Sequence, residues 1–386
     1  MRIFLTLSPS GNRSVPGSMT WYRNLYEPLL DLGHDVYLLR IDEAESKLGI
    51  NIKSGSFQGK FSQYLLNTFQ NENKKKSFDL FFSYLMNSQV ETSCIDEIKK
   101  HGVPTANFSC NNIHQFNLTE KIAPHFDYNL HSEKYVAEKF KGISAYPVWF
   151  QMAANPTYYH PLDIDRTLDV SFIGGAYAKR PYYVYNLLEN GVDVHAYGPG
   201  WRKTEQQLAH LRRLKRELIR SKDVVRSIFT FSPQMRAKVS SRVANIDFKD
   251  YLLAKYIRNL HFPITDEKMI TKYSENKISL GFLEVYNNHD HSKKTMQHLH
   301  LREFEAPMCG ALYFTNYSDE LAEHYEPNRE VINYRNEHEL LDKVKYYLNH
   351  SDKAEKVRQA GYKRALECHT YQKRFQDLFK QLSIKP

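Results

Sequence analysis

Short apolar runs closed by turn residues, each followed by a stretch of helical spacing, recur along this chain, break once, and begin again. Ile3-Phe4-Leu5-Thr6-Leu7 opens the series. Ser8 to Ser18 is a long loop of turn formers. Trp21, Leu25, Leu29 and Leu32 follow at helical spacing, Gly33 stands where a helix stops, and Asp35 to Leu39 reads as a second strand. A β-α-β start with so short a return predicts a parallel sheet with helical crossovers. The rhythm continues through strands at Phe78 to Ser83, Val103 to Phe108 and Asp127 to Leu130, with helices at Glu91 to His101 and Glu133 to Phe140. Between Met152 and Arg166 it stops: the stretch holds two prolines and no periodicity, and reads as an interdomain linker.

The pattern then restarts. Leu168 to Ile173 is a strand running into Gly174-Gly175, Arg180 to Glu189 a helix, and Val192 to Tyr197 a strand ending in Gly198-Pro199-Gly200-Trp201. Further on, Ile278 to Val285, Ala311 to Thr315 and Glu330 to Tyr334 read as strands. Arg302 to Cys309 and Glu337 to Asn349 read as helices, with two more closing the chain. The expected fold is α/β: two Rossmann-like domains facing a cleft. Their expected bounds are 1–155 and 167–365, with a linker at 156–166, a basic, mostly helical insertion at 202–260, and a C-terminal helix over 366–386 placed to pack back on the first domain. Ligands in such sheets sit beyond the carboxyl ends of the strands, here in the interdomain cleft.

Composition excludes several classes. Apolar residues are 41% and charged residues 25% of 386, which a disordered chain does not reach. No apolar run approaches the roughly 18–20 residues of a membrane span, and Ile3 to Leu7 is too short for a secretory signal. The four cysteines (Cys94, Cys110, Cys309, Cys368) form no C-x-x-C pair, so neither a zinc knuckle nor a disulfide framework is expected, and a cytoplasmic protein is. Trp201 to Leu260 holds 15 Lys and Arg against 5 Asp and Glu, a net of +10, which leaves −1 elsewhere out of a total of +9. From Arg202 to Arg226, leucines at helical spacing alternate with crowded Arg and Lys. Such a helix could rest on an anionic membrane surface, or be a solvated insertion packed on its own domain. Nucleic acid is an unlikely partner, since this segment would have to be the whole binding surface.

The most informative stretch is Arg302-Glu303-Phe304-Glu305-Ala306-Pro307-Met308-Cys309-Gly310. An acidic residue early in a helix suits its positive end. It could simply cap a surface helix, or its carboxylate could accept two hydrogen bonds from a ribose diol. This segment resembles the C-terminal part of GT-B-fold glycosyltransferases, in particular the spore-maturation-protein (CgeB-like) family. The shared pieces are REFEAPMCG, EVINY, KVKYYLNH and HTYQKR (His369 to Arg374). Upstream, LDVSFIGG, Lys179-Arg180, AYGPGW and the MAANPTYYHP linker also match.

The resemblance implies a GT-B fold and transfer of a sugar from a nucleotide-diphosphate-sugar donor, with no tightly bound cofactor and no metal. Acceptors of that family type are glycans, lipid-linked chains or proteins, a cell-envelope glycan among them. By the match, Glu305 is the ribose-binding carboxylate. Gly174 and Gly175 let the backbone approach the diphosphate, and Lys179, Arg180 and Arg302 supply charge to it. Gly198 and Gly200 line the nucleotide pocket, and Gly310 closes the motif on the same side. Gly11, in the Ser8 to Ser18 loop, and Asn112 with His114, after the Val103 to Phe108 strand, would face the acceptor side, with His114 the candidate base. Glycines after strands are also ordinary turn residues, and His114 could be a loop histidine with no role. One departure stands out: many retaining GT-B enzymes carry a second glutamate eight residues before the ribose glutamate, and here that position is Gln297. Asp163-x-Asp165 and His289-x-His291 are weak metal signals, the first lying in the linker. A GT-B sugar epimerase, a non-catalytic sugar- or nucleotide-binding coat or scaffold protein, and a nucleic-acid binder using the basic segment are the alternatives.

Overall fold

The computed structural model describes residues 1–7, 17, 19–203, 252–253, 255–286 and 295–384. The expected amphipathic helix of the basic segment and His289-x-His291 therefore lie outside the described residues, as does Gly11. The first half runs β1 (Arg2–Leu7), α1 (Glu27–Asp31), β2 (Asp35–Arg40), α2 (Ile41–Leu48), α3 (Phe57–Lys75), β3 (Leu80–Ser83), α4 (Thr92–Lys99), β4 (Thr105–Ser109), α5 (Asn112–Gln115), β5 (Tyr128–His131), α6 (Ala137–Gly142) and β6 (Pro147–Trp149). The six strands form one sheet, ordered β2-β1-β3-β4-β5-β6, and every pairing is parallel. Doubly covered strands run mainly apolar, as Ile3 to Leu5 of β1 and Leu80 to Phe82 of β3 do.

Two helices here were not foreseen. α3 places Phe57, Phe61, Leu65 and Phe69, all fully buried, four residues apart along one face. That face covers Phe4, Phe78 and Phe81 on the sheet. Its polar end, Asn71 to Lys75, lies within the stretch that reads from sequence as a Lys-rich connection. α2 fills the turn after β2. The helix expected from Trp21 begins as a π turn over Tyr22–Tyr26 before α1.

The second half runs β7 (Leu168–Ile173), α7 (Arg180–Glu189), β8 (Val194–Tyr197), β9 (Leu260–His261), α8 (Asp266–Glu275), β10 (Asn276–Leu280), β11 (Glu284–Tyr286), β12 (Thr295–Gln297), α9 (Arg302–Met308), β13 (Tyr313–Asn316), α10 (Asp319–Ala322), β14 (Ile332–Tyr334), α11 (Glu337–Asn349), α12 (Ser351–Cys368) and α13 (Tyr371–Gln381). Its six-stranded parallel sheet is ordered β14-β13-β10-β7-β8-β9. The apolar run Ile278 to Val285, expected as one strand, is split between β10 and β11. At Gly281 a side chain would sit 1.8 Å from the Tyr313 hydroxyl, so the chain turns there and leaves the sheet to form the β11–β12 hairpin.

The halves are tied twice. Residues 152–166 carry the chain across without regular structure, but are stitched in place: Arg166 donates to the carbonyls of Ser274, Asn276 and Gly310. The chain then returns through α13, whose Tyr371, Phe375, Leu378 and Phe379 lie in the core on one face of the first sheet. Arg374 donates to the carbonyls of Gln151 and Met152 at this second crossing. No described helix is long and apolar enough to cross a membrane.

Candidate active site

The carboxyl ends of the two sheets face one cleft of about 690 Å³. On the second-domain side, β7 ends at Gly174 and β8 at Gly198, and both line it. Gly198 has φ +149°, and a side chain there would lie 2.3 Å from the Gly174 carbonyl oxygen. At Gly174, one would lie 2.6 Å from the Phe172 ring and 3.0 Å from the Arg302 guanidinium. The two turns can touch only because both positions are glycine. Trp201 Nε1 fixes the contact by donating to the Gly174 carbonyl at 2.6 Å. Gly175 and Gly200 stand just behind, against Pro199 and Ala176.

Two guanidiniums enter this corner. Arg180, at the start of α7, donates to the carbonyls of Phe282 at 3.3 Å and Gly175 at 3.5 Å, while its buried Nε has no partner among the described residues. Burial and then the neighbouring Arg302 lower its pKa to about 10. Arg302, at the start of α9, has a buried Nη1 without a partner among the described residues. Burial opposes its charge, but Glu303, Tyr313, Tyr273 and Glu305 outweigh that and raise its pKa. Glu303, fully buried, is held by the Tyr313 hydroxyl at 2.7 Å. Lys179 stays on the rim, paired with Glu284 at 3.0 Å.

One turn along α9, Glu305 faces the cleft at 5% exposure. Burial pushes its carboxyl up to about 7, while the Tyr159 hydroxyl and Arg302 pull the other way and Asp266 adds to the rise. Tyr159 comes from the crossing segment and Asp266 from the first turn of α8. Asp266 also accepts from the Gly17 amide at 2.8 Å and from Arg23 at 2.9 Å, both of the first domain.

Of the residues singled out from sequence, His114, Gly174, Arg180, Gly198, Arg302 and Glu305 line one cleft. Three do not. Asn112, the first residue of α5, is buried outside the cleft lining, where its amide joins Ser109 to Glu133. Gly310 ends α9 against Pro161, away from the cleft. Gln297 points outward and donates to the Tyr317 carbonyl. Asp163 and Asp165 are exposed on the crossing segment. Among the described residues no group of three or more His, Cys, Asp or Glu is placed to hold a metal. Sequence reasoning missed Tyr159, Asp266, His298 and His300, all in the cleft wall. His298 and His300 lie between β12 and α9 with Leu299 buried between them, just ahead of the Arg302 motif, where no periodicity marks them.

Residues 234–380 match the family model described as glycosyl transferase-like. No curated protein matches the chain. Among solved structures, sucrose-phosphate synthase from Thermosynechococcus elongatus superposes with TM-score 0.58 at 11% identity, over 99% of this chain and 98% of that one. A glycosyltransferase from Rickettsia africae gives 0.57 at 11% identity, over 99% and 98%. Anabaena HepE, solved in complex with UDP-glucose, gives 0.56 at 10% identity, over 99% of each chain. Family match and fold meet at the resemblance carried by Arg302 to Arg374, though neither reaches the spore-maturation subtype: the chain has the GT-B fold, and its residues 234–380 are similar to the glycosyl transferase-like family.

Proposed function

We propose that this protein transfers a sugar from a nucleotide-diphosphate donor to a hydroxyl of a glycan, lipid-linked or protein acceptor. The observation that carries the reading is one corner of the cleft, where a buried carboxylate, two guanidiniums with N–H groups unpartnered among the described residues and a bare glycine turn converge. Arg180 and Arg302 donate to the diphosphate, whose oxygens supply the acceptors these N–H groups lack. Gly174, and Gly175 behind it, admit the phosphates close to the backbone. Glu305 accepts from the ribose diol, giving up the proton that burial holds on it. As the bond from the sugar to the diphosphate breaks, the fixed guanidiniums stabilise the charge left on the leaving group. In this reading they provide the positive charge themselves, and the reaction needs no divalent metal. His114, on the opposite wall, belongs to the acceptor side.

The neighbouring HepE was solved with UDP-glucose, which makes uridine the first base to try. The test is thermal unfolding of the full chain against UDP, GDP, ADP, CMP and TDP, with Mg²⁺ or with chelator. A nucleotide at about 100 times its Kd adds about 2.7 kcal/mol, a shift of a few degrees. A selective shift, equal in Mg²⁺ and chelator and lost in Glu305→Ala, is expected. No shift with any nucleotide would overturn the reading in favour of a scaffold role.

A further inference from the structure

The donor reading leaves one buried carboxylate of the cleft region unused. Glu133 follows β5 in the first domain and is 2% exposed. Asn112 Nδ2 donates to its Oε2 at 3.2 Å, but its buried Oε1 has no hydrogen-bond partner among the described residues. Facing that carboxylate is an imidazole of the other domain: His298 Nδ1 lies 4.0 Å from Glu133 Oε1. His298 is 4% exposed and lines the cleft in which Arg302 and Glu305 stand. A buried carboxylate oxygen left without a donor is costly. The candidate that the second domain offers, the His298 ring, stands about 1 Å beyond hydrogen-bond reach.

Resting on the donor reading above, we propose that Glu133 and His298 are a proton-handling pair assembled across the two domains, with His298 the base for the acceptor hydroxyl and Glu133 the residue that positions its ring. The acceptor O–H proton passes to the imidazole. The electron pair of that oxygen forms the bond to the anomeric carbon. The bond from that carbon to the diphosphate breaks, its pair staying on the phosphate oxygen that Arg180 and Arg302 face. Burial, with His300 next, lowers His298 to about 3, so the ring is neutral and free to accept a proton. The groups around it are His300, whose ring centroid is 4.7 Å away, and Glu303, His114 and Arg302, besides Glu133. Around Glu133 stand Asn112, Ser132 and His131, whose Nδ1 bonds the Glu133 carbonyl at 3.0 Å. Tyr84, Cys110, Tyr135 and Glu320 also feel its charge. Closing the gap by about 1 Å would set the carboxylate against Nδ1–H, favour the imidazolium and strengthen the base. A base that gains strength only when the domains meet acts only on a filled cleft. Asn112 then serves by holding Glu133, not by touching substrate.

Two measurements on the full chain test this. The probe is whichever nucleoside diphosphate of the panel above stabilises the wild-type protein. In the first, histidine rings are labelled with ¹⁵N and His298 is titrated with and without that nucleotide. Its pKa is expected to rise on binding by one unit or more, and Glu133→Gln, which keeps the shape and the Asn112 bond, is expected to cancel the rise. In the second, release of the diphosphate from the matching sugar nucleotide is followed with water and methyl glucoside as acceptors. His298→Gln is expected to lower kcat about 100-fold with donor KM within twofold, and Glu133→Gln to move the acidic limb of the pH–rate profile. An unmoved His298 titration, or His298→Gln at the wild-type rate with the loss confined to His114→Gln, overturns the pair while leaving the donor site standing. Absence of nucleotide stabilisation in the wild-type protein overturns the donor reading and the pair together. Should His298→Gln fail to fold, the titration with Glu133→Gln decides alone.

Discussion

At the scale of the residue, Glu305 ties stability to pH and, on the proposed donor reading, to nucleotide binding. Its carboxyl rises from the ordinary 4.5 to about 7, with burial the largest cause. The folded chain therefore holds a proton that the unfolded chain has released between these values. The sign follows: stability from this group is fully present below about pH 4.5, falls as pH rises towards 7, and is flat beyond. The full effect is about 3 kcal/mol. Glu305→Gln mimics the protonated form, so the unliganded variant is expected to gain up to that amount at pH 8 and to lose the slope between pH 4.5 and 7. Nucleotide binding should move oppositely, tightening in the wild-type protein from pH 6 to pH 8 and vanishing in the variant. Denaturant unfolding at several pH values with calorimetric titration of nucleotide checks both; a variant no more stable than wild type at pH 8 would refute the buried proton. Glu305, Arg302 and Arg180 were legible because they sit in or beside a dense motif. Tyr159 was not, because it belongs to a segment with no periodicity, and only tertiary folding lays it against Glu305. Asn112 was misplaced by one helical turn's geometry: adjacent in sequence to residues of the wall, it points behind it.

At the scale of the element, the strand–glycine turns after β7 and β8 meet at the corner of the cleft proposed for the donor. Gly198→Ala combines a strained φ of +149° with a Cβ 2.3 Å from the Gly174 carbonyl oxygen. The strain alone costs about 1–3 kcal/mol, and the clash must push the two turns apart. Gly49→Ala is the matched control: its φ is +62°, nothing lies within 4 Å of the added Cβ, and it is far from the cleft. Both variants should melt lower, but only Gly198→Ala should lose nucleotide stabilisation. Equal nucleotide shifts in the two would mean that the contact of the turns does not shape the site. The parallel strands were readable as apolar runs with turn residues at their ends. Failures came where length or context overrode that signal. β6 has three residues and opens on a proline, tolerated because the strand is at the sheet edge. The β10–β11 break depends on Tyr313 reaching over Gly281, a contact 32 residues away in sequence. The α3 face was present as Phe57, Phe61, Leu65 and Phe69, a repeat of four that polar residues between them obscured.

At the scale of the whole molecule, each domain depends on chain from the other. Arg23 of the first domain, 4% exposed, bonds Asp266 at 2.9 Å and Glu267 at 3.0 Å in the second, over the ring of Tyr158. Breaking a buried pair by removing one partner costs about 3–5 kcal/mol. Arg23→Met is expected to destabilise by that order, and Asp266→Asn added to it to restore part of the loss; an additive double variant would show the two residues act independently. The deeper dependence is α13. Phe375 packs edge-on to Phe82 at 5.8 Å, and beside Phe150 at 5.3 Å, so α13, far from the first sheet in sequence, completes that sheet's core. Phe375→Ala should therefore cost about 3–5 kcal/mol, and the cost should fall on the half of the protein that is distant in sequence. Hydrogen exchange separates the possibilities. Protection is expected to drop at β3 and β6, which α13 covers, and to persist at β7 and β10, whose core includes no residue of that helix. A drop confined to the second sheet would show that α13 belongs energetically to the domain it follows. A drop confined to the first would show that the first sheet is stable only with α13 packed on it, although α13 follows the second domain in sequence.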